Sequence, residues 1–471
     1  MKKLIVFTSI LLFSLSLYSQ DSLMYYLAIS AKNNPTVQQR FNEHQAALQK
    51  VPQAGSLSDP ELSVGVFLSP MELIAGNQVA DIRLMQMFPW FGVLRNAKDE
   101  MSLMANAKFE TFRDAKLQVF YDLQRTWYEL NKVKQNIRIS EKNIELLHTI
   151  ERLAVVRFKA VSLGNNNSAS ANNAMPSSPS PVSSSGSSGM NTMSGSSGNA
   201  AGSAASQPAS PMAGSSSVGS GLTDVYRIQI EISDLQNNIE LLKNQFNTIS
   251  AQFNSYLNRL PDALVSLPDT LIADNYQPLF ATISDSIQKN NPMLGMLQFE
   301  KQSLEARKQM VTRMGYPMVG LGVNYSLINK SGMSTSPMNG KDMVMPMITA
   351  TLPIYRKKYR AMRDEADFLK SANSQNYTAT ANSLQIEYYQ AMQLYRDSER
   401  RIKLYADQYQ LASKTLRILI KSFASSVSSL TDILRVRQQT LDYNYKQVEA
   451  VADYNTSIAW IKRLMAFSQI Q

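Results

Sequence analysis

Lys32-Asn33-Asn34-Pro35 returns as Lys289-Asn290-Asn291-Pro292, and Leu222-Thr223-Asp224-Val225 returns as Leu430-Thr431-Asp432-Ile433. Between these markers each copy carries a short stretch with β patterning and then a very long one with helical patterning. Two tandem units of this kind predict a chain that is one part of a larger, pseudo-symmetric, helix-rich tube. The expected fold is mainly α with a small β part, in two structural repeats, residues 21–260 and 261–471.

The repeat also measures its own interruption. Pro89 and Pro353 close the β-patterned stretch of each copy. Leu222 lies 133 residues beyond Pro89 and Leu430 only 77 beyond Pro353, an excess of 56 in the first copy. One block of that length, Asn165 to Ser220, consists almost wholly of Ser, Gly, Ala, Asn, Pro and Met, with no charge and no aromatic residue. Such a block cannot bury a core, so it is predicted to be a disordered insert in a loop.

The long helices follow from spacing. Phe120, Leu123, Trp127, Leu130, Val133 and Ile137, then Ile144, Leu147, Ile150, Ala154 and Phe158, recur at mixed three- and four-residue steps. That is a coiled-coil-like stripe. It predicts a helix over about 92–162, roughly 100 Å long at the standard helical rise. Copy two repeats it over about 356–424. Shorter returning helices are expected at 222–258 and 430–466. A third helix per copy, Thr36 to about Gln49 and Met293 to Thr312, is long enough to make up the difference.

The strands decide the compartment. Leu62, Val64, Val66 and Leu68 alternate with Ser63, Gly65 and Phe67, and Ile82, Leu84 and Phe88 share one face of the next segment. In copy two, Val319, Leu321, Val323, Tyr325 and Leu327 alternate with Gly320, Gly322, Asn324 and Ser326. Val344, Ile348, Ala350 and Leu352 alternate with Met343, Met345, Met347, Thr349 and Thr351. Period-two alternation of this length is the pattern of a barrel strand with one face to lipid and one to a lumen. The expected strands lie within about 60–89 and 317–353, four per chain. A membrane barrel needs at least about eight strands, and open edges are not tolerated in lipid. The barrel must therefore be shared among chains: two copies give eight strands and three give twelve.

Composition narrows the function. Lys2 and Lys3 followed by the apolar run Leu4–Leu17 read as a secretory signal over residues 1–20. No later apolar run reaches the length of a spanning helix. The chain has no cysteine, hence no disulfide and no lipidated N-terminal cysteine. Its 47 basic and 37 acidic residues give a net charge of +10, spread along the helices, with no basic patch interleaved with aromatics to suggest nucleic acid. His44 and His148 lie in different helical segments. No nucleophile elbow, phosphate loop or metal-binding spacing is present, so no enzyme activity and no cofactor are expected.

Taken in order, these features resemble the TolC family of outer-membrane efflux channels. The resemblance is carried by the signal segment, the tandem repeat, the Asn-Pro opening of each copy, the Pro89-Trp90-Phe91-Gly92 turn and the Leu-Thr-Asp-Val/Ile start of each returning helix. It covers nearly all of residues 21–471 except the insert. It implies a homotrimer in the outer membrane of a Gram-negative bacterium, with a twelve-stranded β-barrel in outer-membrane lipid and a tunnel of long helical hairpins through the periplasm. It also implies a periplasmic adaptor protein and an inner-membrane efflux pump as partners. By the same resemblance the loops before Leu222 and Leu430 are periplasmic tips, Asp432 lines the closed end of the tunnel, and Asp224 helps hold the tip helices shut. Where many relatives place a second acidic residue, three positions after Asp432, this chain has Arg435.

Residue chemistry leaves alternatives beside that reading. Asp224 and Asp432 each follow a threonine near an expected helix start, where a carboxylate caps free N–H groups; capping and facing a lumen are compatible. The 24 methionines raise export of Cu(I) or Ag(I), since thioethers are soft ligands. Met343, Met345 and Met347 on one strand side are the candidate ligands, and Met175, Met190, Met193 and Met212 punctuate the insert. Methionine is equally a gap filler. A reading from a different class is a secreted or surface coiled-coil structural protein.

Overall fold

A computed structural model of the chain describes residues 22–166, 217–276, 280–425 and 427–467. The expected signal segment at 1–20 lies outside those residues, as does nearly all of the expected disordered insert at 165–220.

The element order is duplicated. Helices α1 (Ser22–Asn33) and α2 (Pro35–Gly55) lead into strands β1 (Glu61–Leu73) and β2 (Gly76–Phe88). Helix α3 (Val93–Asn166) and helix α4 (Ser217–Tyr256) complete the first copy. The second copy runs α5 (Phe280–Asn290), α6 (Pro292–Met314), β3 (Met318–Asn329), β4 (Met343–Thr351), α7 (Arg356–Ala424) and α8 (Leu430–Leu464). Two differences from the sequence reading stand out. Helices α1 and α5 are additional, each a short segment packed ahead of the Asn-Pro step. The flanking helices also run into the expected insert: α3 continues through Asn166 and α4 begins at Ser217. Once a buried stripe has nucleated a helix, adding residues at its end is cheap even for poor helix formers.

The repeated Asn-Pro motif has one structural job in both copies. Asn34 and Asn291 adopt extended backbone angles (φ −64°, ψ 125° and φ −65°, ψ 123°), and each is followed by proline at the first helical position. Both facts fit an N-cap. The Asn34 Oδ1 accepts from the Thr36 and Val37 N–H groups at 3.0 and 3.2 Å, and the Asn291 Oδ1 accepts from the Met293 N–H at 3.0 Å. The other side of each amide reaches across the fold: Asn34 Nδ2 donates to the Tyr256 carbonyl at 2.9 Å and Asn291 Nδ2 to the Leu464 carbonyl at 3.1 Å. One side chain thus caps the start of a helix and satisfies an orphan carbonyl at the end of the returning helix.

The chain divides into two compact units. One comprises the residues up to Ile139, Leu241–Tyr409 and the residues from Asp442 onward; the other comprises Ser140–Glu240 and Gln410–Leu441. The first unit has two equivalent cores, one per copy. Tyr26 and Leu27 of α1 pack with Phe120, Leu123 and Leu130 of α3 and Phe253 of α4. Ile283 and Ile287 of α5 pack with Leu384 and Ala391 of α7 and Ile458 and Ile461 of α8. Of the stripe residues named from spacing alone, Phe120, Leu123, Trp127, Leu130, Val133, Leu147, Ile150 and Ala154 are buried, while Ile137, Ile144 and Phe158 are half-buried.

The same unit holds one antiparallel sheet of order β1-β2-β3-β4. Its register puts Leu62 opposite Leu84, Leu84 opposite Val323 and Val323 opposite Pro346, and likewise Val64, Ile82, Tyr325 and Val344 in one row. One face is therefore apolar apart from Gln86, which lies opposite Leu321. It is also exposed, with Leu62 at 66% and Ile348 at 78%. The opposite face carries Ser63, Asp81, Arg83, Asn324 and Ser326, with glycine and methionine between them. The outer edges of β1 and β4 have no strand partner among the described residues.

The junction from sheet to helix is a tight turn. Gly92 has φ +86°, and a Cβ there would lie 2.9 Å from the Arg313 side chain. Arg313 Nη1 donates to the Phe91 carbonyl at 3.2 Å, and Trp90 stacks on Tyr316 at 5.4 Å. No described helix is long and apolar enough to cross a membrane.

Candidate functional site

The second unit contains both copies of the Leu-Thr-Asp motif. Its core gathers Leu147 and Ile150 of α3, Ile228 and Ile232 of α4, Leu416 and Phe423 of α7, and Leu430 and Ile433 of α8. In the second motif, burial of Leu430 and Ile433 turns Thr431 and Asp432 outward. The first motif is looser: Leu222 is 46% exposed, against 2% for Leu430.

Asp432 sits in the first turn of α8. Its N–H donates to the Ser429 hydroxyl at 3.3 Å, and that hydroxyl donates to Asp432 Oδ2 at 3.1 Å. The serine ahead of the helix and the carboxylate in its first turn therefore form a local cap, favoured further by the helix dipole. Arg435 Nη2 donates to Asp432 Oδ1 at 3.0 Å, with both side chains substantially exposed. An exposed pair of this kind contributes at most about 1 kcal/mol. It does neutralise the carboxylate locally.

Asp224 differs from the capping expectation. Because α4 begins at Ser217, Asp224 is already inside the helix, where N–H groups are occupied by the helix itself. Burial pushes its carboxyl above the usual range, while Arg157 and Arg227 pull it back down. Arg227 also donates to the Thr431 hydroxyl at 3.2 Å, which brings the two motif copies to one corner. Arg157 donates to the Ser428 carbonyl at 3.4 Å and lies 4.8 Å from the Phe423 ring. The turn between α7 and α8 is thereby pinned by a residue of α3.

One interaction here escaped the sequence reading. Arg437 of α8 is 2% exposed and bonds Glu231 of α4. The signal was present: Arg437 continues the Leu430, Ile433 stripe by one further four-residue step. A cation on a buried stripe requires a counter-charge.

The remaining candidates lie on other elements. Met343, Met345 and Met347 lie on the non-apolar face of β4, opposite Ser326, Asn324 and Gly322. Met85 and Met87 of β2 share that face, and Met87 Sδ lies where a Cβ on Gly320 would be only 2.6 Å away. His44 Nδ1 lies 3.0 Å from the Ala105 carbonyl, and His148 Nδ1 lies 3.2 Å from Glu151. Among the described residues no group of three or more His, Cys, Asp or Glu is placed to hold a metal.

No family model matches the sequence. No curated protein matches it either. The fold is far more informative. The outer-membrane channel OprN superposes with a TM-score of 0.67 at 12% identity, covering 95% of this chain and 91% of that one. The fold is that of the TolC-like outer-membrane channels. The outer-membrane protein VceC of Vibrio cholerae matches at TM-score 0.67 and 11% identity, over 94% of this chain and 96% of its own. The CmeC outer-membrane channel of Campylobacter jejuni matches at 0.64 and 13%, over 95% and 86%. At such identities the TolC-like likeness speaks for the fold, including the duplicated helices and the four-stranded sheet.

Proposed function

We propose that this chain is the exit duct of a tripartite efflux system in a Gram-negative outer membrane, with no chemistry of its own. The observation that carries the reading is the sheet. It has four strands, two open edges, one exposed apolar face and one face of small and polar residues. Three copies close a twelve-stranded barrel with the apolar face to lipid and the other to a water-filled lumen. The long helices line a periplasmic tunnel that docks on an adaptor and an inner-membrane pump. Deterministic evidence for the reading is an outer-membrane fraction, a trimer in detergent and single-channel conductance; a detergent monomer or a soluble secreted rod rejects it.

Asp432, Arg435 and Asp224 form the tip constriction in this reading. Three copies of Asp432 at a narrow point attract cations, and Arg435 offsets them. Asp432→Ala lowers cation preference in bilayer recordings, and Arg435→Ala raises it. The expected change is roughly two- to five-fold in permeability ratio, the factor corresponding to about 0.5–1 kcal/mol for an exposed pair. If both variants conduct like the parent, the gate lies elsewhere and Asp432 serves only the Ser429 cap.

A second reading is dedicated export of Cu(I) or Ag(I). It rests on Met343, Met345, Met347, Met85 and Met87 sharing the lumen face, with Gly320 and Gly322 leaving room between them. Replacing Met343, Met345 and Met347 together by leucine then lowers silver tolerance several-fold and spares export of organic compounds. Equal loss of both, or of neither, rejects the soft-metal role.

A further inference from the structure

We infer that the seam between neighbouring copies is closed by ion pairs between Asp59, just ahead of β1, and Glu61, its first residue, and the basic run that begins at Arg356, after β4. The inference rests on the exit-duct reading and deepens it by naming the residues of the seam.

The basic run is anomalous within one chain. Arg356, Lys357, Lys358, Arg360 and Arg363 place five cations in the first eight residues of α7. The N-terminus of a helix carries a partial positive charge and favours acids there. None of the five forms an ion pair among the described residues, and Arg356, Lys357, Lys358 and Arg360 are exposed. Asp59 and Glu61 show the converse pattern: both are exposed, and neither has an ionic partner among the described residues.

Topology brings the two groups together. β1 and β4 are the two free edges of the sheet, and every pairing within it is antiparallel. Closing a barrel with an antiparallel seam sets the residues that enter β1 of one copy beside the residues that leave β4 of the next. The entering segment carries Leu57, Asp59 and Glu61. The leaving segment carries Leu352, Ile354 and Tyr355, exposed by 63, 77 and 84%, and then Arg356. Apolar meets apolar, and acid meets base. A cleft of about 600 Å³ lined by Tyr316, Leu352, Ile354, Arg356, Tyr359 and Arg363 adjoins this edge and offers room for the entering segment.

The chain lacks cysteine, so the seam can be tested by cross-linking in the full-length protein. Asp59→Cys with Lys357→Cys gives disulfide-linked dimers and trimers on oxidation, and neither single variant does. In parallel, Asp59→Lys with Glu61→Lys lowers the temperature at which the oligomer dissociates by several degrees. Adding Arg356→Glu and Lys357→Glu restores it. An oligomeric parent with no cross-link and no rescue overturns this inference alone. So does loss of co-purifying anionic phospholipid from the Arg356→Glu, Lys357→Glu variant with an unchanged dissociation temperature, since the cations would then serve lipid headgroups. A monomeric parent overturns the exit-duct reading together with it.

Discussion

Replacing Glu231 by alanine destabilises the second unit by about 1–3 kcal/mol, the cost of taking the carboxylate away from a buried guanidinium, reduced because Glu231 itself is partly exposed. Arg437 has 2% of its surface exposed and its Nη2 bonds the Glu231 carboxylate. Folding strips the guanidinium of water, and the carboxylate replaces part of that hydration. Glu231 is 35% exposed, so truncating it returns only part of the lost hydration to the buried guanidinium. Removing both charges is a different experiment. Arg437→Met with Glu231→Ala eliminates the desolvation cost together with the attraction, and the expected stability lies close to the parent. Hydrogen exchange across α4 and α8 separates the cases: protection there falls steeply in the single variant and recovers in the double. Equal protection in all three proteins would show that water reaches Arg437 and that the pair is dispensable.

Ile348→Arg blocks assembly in the membrane, whereas Thr349→Arg next to it is tolerated. Ile348 belongs to the exposed apolar face and lies opposite Leu321; Thr349 lies on the other face opposite Gly320. An arginine on a lipid-facing strand position costs up to about 2–4 kcal/mol per copy, most at the bilayer midplane and less toward its edges, and three copies share one barrel in the proposed assembly. On the lumen face the same side chain remains in water and alters conductance instead. The measurement is the yield of heat-resistant oligomer in the outer-membrane fraction. Equal yields for the two variants would mean that the apolar face is covered by something other than lipid, and the barrel reading would fail with it.

The elements were legible in the sequence because their signals are local. Helix α7 spans Arg356–Ala424, the range expected for it as the second copy of the long helix. The strands fall inside their expected windows because alternation reports directly which residues share a face. Asn34 and Asn291 were conspicuous as a repeated motif, and proline behind each marked a helix start. The expected insert lies almost wholly outside the described residues; at its margins, helix propagation carries α3 to Asn166 and α4 back to Ser217. That extension is what removes Asp224 from a capping position. Asp432 remained in the first turn because Ser429 stops the helix behind it.

The short helices α1 and α5 aside, the sequence by itself determined the duplication, the long helices and the four strands, and the two-faced sheet. Each depends on periodicity or on neighbours a few residues apart. The tertiary structure alone decided which distant groups meet: the Asn34 amide on the Tyr256 carbonyl, Arg227 on Thr431, Arg437 on Glu231, and Met85 on the same face as Met347. These pairings join residues up to some two hundred and sixty positions apart. No local pattern encodes them, because they are fixed by how buried stripes and strand registers pack and by the need to give each buried polar group a partner.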